Sequence, residues 1–203
     1  MNFGTPDDRE ELARAEVYGL LAQLFYAPPS DELYAQLQVA ATVAPAPGAF
    51  LEASWTDVVA ASRRLSLAAV REEHEALFVG VGKPEVFLYG SYFIAGALNE
   101  RPLVALRHDL RALGLERPEG VLETEDHIAS LCEVMRYLIA GQDLSVSNLA
   151  TQQAFFNTHL RGWPERLWET LAAHTRADFY RAASGFARDF FAVEAQGFDL
   201  LEA

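Results

Sequence analysis

The stretch ETEDHIASLCEVMRYLIAG, residues 123–141, decides the fold class. Its apolar residues recur three or four positions apart, which places them on one face of an α-helix. Acidic residues precede this face and a glycine follows it, and these residue types commonly start and stop helices. The spacing therefore predicts a helix that begins at Glu123 or Thr124 and ends at Gly141. The predicted buried face consists of Ile128, Leu131, Val134, Met135 and Leu138.

The same helical period extends through most of the chain. We predict a first helix capped by Thr5, a loop over 44–48, and a helical region over 50–79 that breaks near 62–66. The segment 86–94 is rich in β-prone residues, but a lone strand has nothing to pair with, so we expect an extended loop leading into a short helix. Further helices are predicted over 33–39, 102–114, 148–160, 164–174 and 177–194.

These elements predict an all-α fold, a single globular bundle of seven or eight helices. The 203 residues fit one domain, 1–203. A glycine- and proline-containing loop near 80–102 is the expected hinge between an N-terminal and a C-terminal helical half. Such a hinge loop permits domain swapping, so the sequence is compatible with two oligomeric states, a monomer and a domain-swapped dimer.

Composition limits the classes of partner. The chain has 16 Lys+Arg against 29 Asp+Glu, a net charge of −13, which disfavours nucleic acids and anionic membranes and favours basic segments. The uncharged run 33–51 is about as long as a membrane span but contains Pro45 and Pro47, so we expect no membrane insertion. The start MNFGTPDD is acidic and lacks the pattern of a signal peptide. Cys132 is the only cysteine, so no intrachain disulfide forms and a cytoplasmic location is expected.

The patterns that usually accompany catalysis are missing from the sequence. No His-Glu-x-x-His occurs, and no glutamate stands three positions before any of the five histidines. Gly80 and Gly82 are not followed by Lys-Ser or Lys-Thr, and Ser91 lacks the second glycine of a nucleophile elbow. We therefore expect no enzyme activity, no cofactor and no metal.

Three local features stand out beside the helical pattern. The loop 77–92 sets aromatic residues beside flexible glycines, which suits the binding of an extended peptide, although the same residues could instead fill the core. In ETEDH, residues 123–127, the acidic residues fit a helix start, while His127 could hydrogen-bond a loop carbonyl or sense pH. We interpret the third, residues 155–163 with His159 and Trp163, as core packing.

Taken together, these segments resemble the TorD/DmsD family of chaperones for molybdoenzymes, which is related to the NarJ type. The matching motifs, in family order, are YGLLAQLF (18–25), EALFVG (75–80), YGSY (89–92), ETEDH (123–127) and HLRGW (159–163). The chain departs from the family pattern at Val86-Phe87-Leu88, where family members have a proline-rich entry, and at Thr124, where a proline is common.

The resemblance implies a cytoplasmic chaperone that binds the twin-arginine signal peptide, or the apo form, of a molybdenum-cofactor oxidoreductase subunit and delays its export until the cofactor is inserted. The partner would be that precursor, through its signal peptide and its mature domain. The expected peptide-binding residues are Tyr18, Leu21, Leu77, Phe78, Phe87, Tyr89, Ser91, Tyr92, Glu123, Asp126 and His127. Among them the aromatic side chains would contact the apolar stretch, while Asp126 and Glu123 would meet the arginine pair.

Two alternatives stay open at this point. One keeps the fold and makes the chain a NarJ-type assembly chaperone for a molybdoenzyme subunit that is not exported. The other is a small helical metal-dependent hydrolase that uses Asp126, His127 and another acid.

Overall fold

The computed structural model of the chain describes residues 6–43 and 50–201. The predicted helix cap at Thr5 and the predicted loop over 44–48 lie outside the described residues. Within the described part, the secondary structure is helical and contains no β-sheet; one isolated bridge pairs Tyr89 with His127. The predicted all-α class is confirmed.

Ten α-helices are present in the described part of the chain, more than the seven or eight expected. They are α1 (Pro6–Tyr26), α2 (Asp31–Val39), α3 (Glu52–Arg64), α4 (Leu67–His74), α5 (Gly90–Ala95), α6 (Arg101–Ala112), α7 (Ile128–Ala140), α8 (Leu149–His159), α9 (Pro164–Ala173) and α10 (Phe179–Leu200). A π-helical turn, Glu75–Val79, continues α4. The break between α3 and α4 has a local cause, because the Ser66 side chain accepts a hydrogen bond from the Ala69 N–H at 3.2 Å and caps α4.

The chain divides into two compact units that interleave along the sequence. The first unit comprises Met1–Tyr26 and Leu88–Trp163, and the second comprises Ala27–Phe87 and Pro164–Ala203. The chain passes between the units three times, and one crossing, between Phe87 and Leu88, falls inside the predicted hinge over 80–102. The hinge itself stays a prediction.

The first unit contains α1, α5, α6, α7 and α8, and its core lies where α1 packs along α7. Tyr18, Leu21 and Phe25 of α1 are buried at spacings of three, four and seven, the period of one helix face. The buried face of α7 includes Ile128, Leu131, Met135 and Leu138, as predicted, while Val134 is only half-buried.

The second unit is organised around α10, which packs against α3, α4 and α9. The N-terminus of α10 is capped by a side chain from another helix. The Glu73 carboxylate of α4 accepts hydrogen bonds from the backbone N–H groups of Asp178, Phe179 and Tyr180 at 2.8, 3.0 and 2.8 Å. A helix leaves these N–H groups without an internal partner, so the half-buried Glu73 carboxylate fixes where α10 starts against α4.

The start of α7 differs from the prediction. We expected the helix to begin at Glu123 or Thr124, with the acidic residues in its first turn, but α7 begins at Ile128 and His127 is its N-cap. Thr124 and Asp126 instead form part of a non-helical segment, because the Asp126 carboxylate is held by Ser91 rather than by the helix N-terminus. The predicted end at Gly141 is confirmed.

None of the helices within the described residues combines the length and the apolar character needed to cross a membrane.

The cap of α10 provides a stability test. Replacing Glu73 with Gln leaves one acceptor oxygen and places an NH₂ donor against backbone N–H groups, so we expect the free energy of unfolding to fall by about 1–3 kcal/mol. The matched control is Glu72→Gln, which changes the neighbouring exposed residue in the same way and should leave stability within about 0.5 kcal/mol. Urea unfolding followed by circular dichroism measures both, and equal stability of the two variants would contradict the capping role.

Candidate functional site

The eleven predicted peptide-binding residues fall into two groups, one in each unit. The first unit holds Tyr18, Leu21, Tyr89, Ser91, Tyr92, Glu123, Asp126 and His127. The second unit holds Leu77, Phe78 and Phe87. Each group is described within its own unit.

In the first unit, the YGSY and ETEDH motifs lie side by side. The Gly90 N–H donates to the Asp126 carbonyl at 2.9 Å, and the Ile128 N–H donates to the Leu88 carbonyl at 2.8 Å. These two bonds flank the isolated antiparallel bridge between Tyr89 and His127. The extended segment before α5 is therefore fastened to the segment before α7, although the two are more than thirty residues apart in sequence.

Asp126 is buried and its carboxylate is fully engaged. One oxygen accepts the Ser91 backbone N–H at 2.8 Å, and the other accepts the Thr124 hydroxyl at 2.6 Å. Only 3% of Asp126 is exposed to solvent. A buried carboxylate is costly unless it is hydrogen-bonded, and these two donors meet that requirement. The bond to Ser91 also holds the start of α5 in place.

His127 is buried between two tyrosine rings. Its Nδ1 accepts the Ala129 N–H at 3.2 Å, which caps α7 and requires the neutral ring with its proton on Nε2. Burial lowers the pKa of His127 to about 4, despite the opposing negative charges of Glu123 and Asp126. The rings of Tyr89 and Tyr26 meet His127 edge-on, with centroids 5.0 and 6.3 Å away.

Tyr89 links this buried group to the surface. Its hydroxyl donates to the Glu123 carboxylate, and both side chains are half-buried. Burial, together with the hydrogen bond to Glu123 and the charge of that residue, raises the pKa of Tyr89 well above its usual value. The phenol therefore stays protonated and remains a donor to Glu123.

Trp163 packs against Gly90 at the start of α5, a contact that the sequence analysis did not predict. A Cβ atom added to Gly90 would lie 3.1 Å from the Trp163 ring, so the close approach requires glycine at this position or a shift of the indole. Phe93 stacks on the same ring, with centroids 5.6 Å apart and planes 19° apart, and Tyr92 meets Phe93 edge-on. The core-packing interpretation of residues 155–163 is confirmed, because Phe155, Phe156, Leu160 and Trp163 are buried.

In the second unit, Phe78 belongs to an aromatic cluster. Its ring lies 5.1 Å from His74 and 4.9 Å from Tyr180, edge-on in both cases. Leu77 is fully buried, and its carbonyl accepts the Val86 N–H at 2.9 Å, which closes the loop between them. Gly80 has φ +64°, and a Cβ there would lie 2.2 Å from the Lys83 carbonyl oxygen, so this tight loop requires glycine.

Burial divides the predicted residues into two sets. Five are half-buried and present part of their surface to solvent, namely Phe78, Phe87, Tyr89, Tyr92 and Glu123. Six are buried, namely Tyr18, Leu21, Leu77, Ser91, Asp126 and His127. Contact of any of them with a peptide stays a prediction. Tyr18 and Leu21 lie in the core, whereas Leu77, Ser91, Asp126 and His127 make hydrogen bonds that position neighbouring segments.

Tyr26 is a member of this site that sequence reasoning missed. It lies eight residues after Tyr18 on α1 and contacts the His127 ring, while half of its surface is exposed. Its spacing from Tyr18 was a usable signal, since positions i and i+8 share a helix face.

The hydrolase alternative requires metal-ligating side chains that converge. Within residues 6–43 and 50–201, no three histidine, cysteine, aspartate or glutamate side chains form a group that could hold a metal ion.

The low pKa of His127 makes a pH test possible. An unfolded histidine takes up a proton as the pH falls below 6.5, whereas the folded His127 resists protonation down to about 4. Its contribution to stability is therefore full above pH 6.5 and is lost as the pH falls towards 4, by about 2–3 kcal/mol. We expect His127→Asn, which keeps an N-cap acceptor but does not titrate, to reduce the pH dependence of the unfolding free energy by that amount. His108→Asn, at an exposed histidine, is the control, and an unchanged pH slope for His127→Asn would contradict the assignment.

Comparison with known proteins places these segments in a family. The model of the family described as nitrate reductase delta subunit matches residues 41–169, more than half of the chain, and this range contains both the 77–92 loop and the 123–127 segment. The chain is also 25% identical over 127 residues to Chaperone protein TorD of Aliivibrio fischeri (strain ATCC 700601 / ES114), in an alignment that covers 59% of this chain and 59% of that protein. The chain thus matches less than two thirds of the relative's length. Both findings agree with the resemblance drawn from the sequence, and the extent of the family match shows that this chain belongs to the nitrate reductase delta subunit family.

Proposed function

We propose that this chain is a cytoplasmic maturation chaperone for a molybdenum-cofactor oxidoreductase subunit, its client. In this proposal it binds the twin-arginine signal peptide of the client, or the apo subunit, and delays export until the cofactor is inserted. The observation that carries the proposal is the family match over residues 41–169, supported by similarity to a protein named as a chaperone.

The charge of the chain supports binding to a basic leader. A net charge of −13 attracts a basic segment over long range and raises its rate of encounter. Residues 115–126 concentrate that charge, with five carboxylates against one arginine. A leader with two arginines is thus electrostatically complementary to this part of the first unit.

The half-buried residues supply the contacts. Within the first unit, we assign the apolar part of the leader to Tyr89 and Tyr92, whose rings combine apolar area with few rotatable bonds. Glu123 is the carboxylate that we assign to an arginine of the pair, because it is half-buried whereas Asp126 is enclosed. Asp126 and His127 then act through position, by holding Tyr89 and Ser91 in place.

A second candidate keeps the chaperone role but changes the client. The matching family is described as nitrate reductase delta subunit, which favours the NarJ-type alternative, assembly of a molybdoenzyme subunit that is not exported. The two candidates differ in one property of the client, the presence of a twin-arginine leader.

Affinity capture separates them. The tagged chain is used as bait in anaerobically grown source cells, and co-purifying proteins are identified by mass spectrometry. A molybdoenzyme subunit that carries its leader supports the first candidate, and a leaderless subunit supports the second. Recovery of no molybdoenzyme subunit would contradict both.

Tyr92 tests the aromatic contact. The probe is a fluorescein-labelled peptide with two adjacent arginines followed by about twelve Leu and Ala residues, the length of a typical apolar signal region. We expect Tyr92→Ala to weaken binding roughly tenfold, since truncation of a central aromatic contact commonly costs more than 1 kcal/mol. Phe50→Ala, at an aromatic residue that is 80% exposed in the other unit, is the control, and fluorescence anisotropy is the measurement. Equal affinities for Tyr92→Ala and the unaltered chain would remove Tyr92 from the site.

Glu123 and Asp126 test the charged contact. Glu123→Gln is expected to weaken binding of the arginine peptide about fivefold and to leave binding of a peptide with glutamines in place of the arginines unchanged. Glu119→Gln removes one exposed carboxylate from the same segment and controls for net charge. Asp126→Asn keeps an oxygen acceptor for Ser91 and should change affinity less than Glu123→Gln. If Asp126→Asn loses more affinity for the arginine peptide than Glu123→Gln while its thermal stability is unchanged, Asp126 and not Glu123 contacts the arginine.

A further inference from the structure

Helix α6 carries one charged side chain on each flank of its buried apolar stripe. The stripe consists of Leu103, Leu106 and Leu110. Arg107 comes one position after Leu106, and Asp109 comes one position before Leu110. Because successive residues of an α-helix are turned by about 100°, these two side chains leave α6 on opposite sides of the stripe. They therefore reach two different neighbouring segments of the first unit.

Arg107 holds the ETEDH segment on one flank of α6. Its Nε donates to a Glu125 carboxylate oxygen at 2.9 Å, and its terminal nitrogen lies 2.9 Å from the same oxygen. The Glu125 side chain is only 14% exposed, so this charge-assisted contact replaces lost hydration. Arg117 assists from 4.0 Å and also donates to the Glu123 carbonyl at 3.1 Å. The backbone that carries Glu123 is therefore fastened to α6 two residues further on.

Asp109 holds the HLRGW segment on the opposite flank. The Nε2 of the largely buried His159 lies 2.9 Å from one Asp109 carboxylate oxygen, and because a carboxylate accepts, this nitrogen carries the ring proton. The other Asp109 oxygen lies 3.2 Å from Nδ1 of the exposed His108. The His159 carbonyl in turn accepts the Trp163 indole N–H at 2.8 Å. Asp109 is thus connected to Trp163 through a single residue.

Trp163 passes this constraint to the ring of Tyr92. The indole packs against Gly90 and stacks on Phe93, and Phe93 meets Tyr92 edge-on with ring centroids 5.3 Å apart. Close packing leaves the indole little room to move without shifting its neighbours. A displacement of Trp163 would therefore change where α5 presents Tyr92.

We propose that Arg107 and Asp109 are positioning residues of the peptide site. Arg107 fixes the place of Glu123, and Asp109 fixes the place of Tyr92 through His159 and Trp163. One helix thereby sets the distance between the charged contact and the aromatic contact before the peptide arrives, which lowers the ordering cost of binding. The inference rests on the proposed function, because it takes Glu123 and Tyr92 as the peptide contacts.

Two peptides test the role of Arg107. The arginine peptide has two adjacent arginines before about twelve Leu and Ala residues, and the glutamine peptide has glutamines in their place. We expect Arg107→Gln to weaken the arginine peptide about fivefold and to change the glutamine peptide less than about twofold. Arg111→Gln, at an exposed residue of the same helix, makes the same change in net charge and is the control. Equal losses for both peptides would indicate general destabilisation and overturn the role of Arg107.

The role of Asp109 predicts a different pattern. Both peptides contain the apolar stretch, so we expect Asp109→Ala to weaken both about fivefold. Trp163 is the only tryptophan of the first unit, and the near-ultraviolet circular dichroism of the chain should change with this variant. Asp109→Asn keeps an oxygen acceptor for His159 and should restore most of the affinity. His108→Ala, which removes the exposed contact of the same carboxylate, is the control and should leave the spectrum and both affinities unchanged.

Double variants separate a positioning role from an independent one. Arg107→Gln combined with Glu123→Gln should lose no more affinity for the arginine peptide than Glu123→Gln alone, and Asp109→Ala should add little to Tyr92→Ala. Additive losses would overturn the proposal. Should Asp109→Ala fail to fold by circular dichroism, Asp109→Ser, whose hydroxyl is on a shorter side chain, takes its place.

Failure of the proposed function gives a distinct result. If the Arg107 and Asp109 variants bind both peptides as tightly as the unaltered chain does, the positioning roles are wrong although the proposed function stands. If the unaltered chain binds neither peptide, nor the leader of a client recovered by affinity capture, the proposed leader binding itself is wrong.

Discussion

The hydrogen bond from the Ser91 backbone to the buried Asp126 carboxylate is the interaction on which the site of the first unit depends. It joins the start of α5 to the segment before α7. Two backbone hydrogen bonds, Gly90 N–H to the Asp126 carbonyl and Ile128 N–H to the Leu88 carbonyl, join the same two segments. A carboxylate in this position would be costly without donors, and the Thr124 hydroxyl supplies a second one. Because the Asp126 carboxylate is hydrogen-bonded to Ser91, the N-terminus of α7 is capped by the next residue, His127.

The Ser91–Asp126 hydrogen bond joins residues that are distant in sequence, and it shows which features the sequence could predict and which it could not. The buried face of α7, the break between α3 and α4 and the extended segment before α5 follow from local patterns, since each depends on residues within one or two turns. The start of α7 does not follow from a local pattern. Glu123, Glu125 and Asp126 have the composition of a first helical turn, and only the distant contact with Ser91 shows that they precede the helix. The interleaving of the two units likewise depends on contacts between residues that are distant in sequence.

The same limit applies to the candidate site. The eleven residues predicted from the sequence come from the first helix, the loop 77–92 and the segment 123–127, and eight of them fall in one unit. It had no means to separate Tyr92, which is half-buried, from Ser91, which is enclosed, because the exposure of these two neighbours at the start of α5 depends on tertiary packing. For Tyr26, the spacing from Tyr18 indicated a shared helix face, but the contact with His127 depends on tertiary packing that the spacing does not show.

The electrostatics of the proposed recognition follow from this arrangement. His127 stays neutral near pH 7 because burial lowers its pKa to about 4, and Tyr89 stays protonated because burial and Glu123 raise its pKa. Neither side chain changes charge between pH 6 and 8, so in our proposal the attraction for a basic leader comes from carboxylates that reach solvent, such as Glu123. Exposed carboxylates act over about 8 Å at physiological ionic strength and are weakened by salt. Recognition in our proposal is therefore governed by ionic strength at the encounter and by apolar burial once the leader is bound, and the histidine serves to hold the tyrosines on which that burial depends.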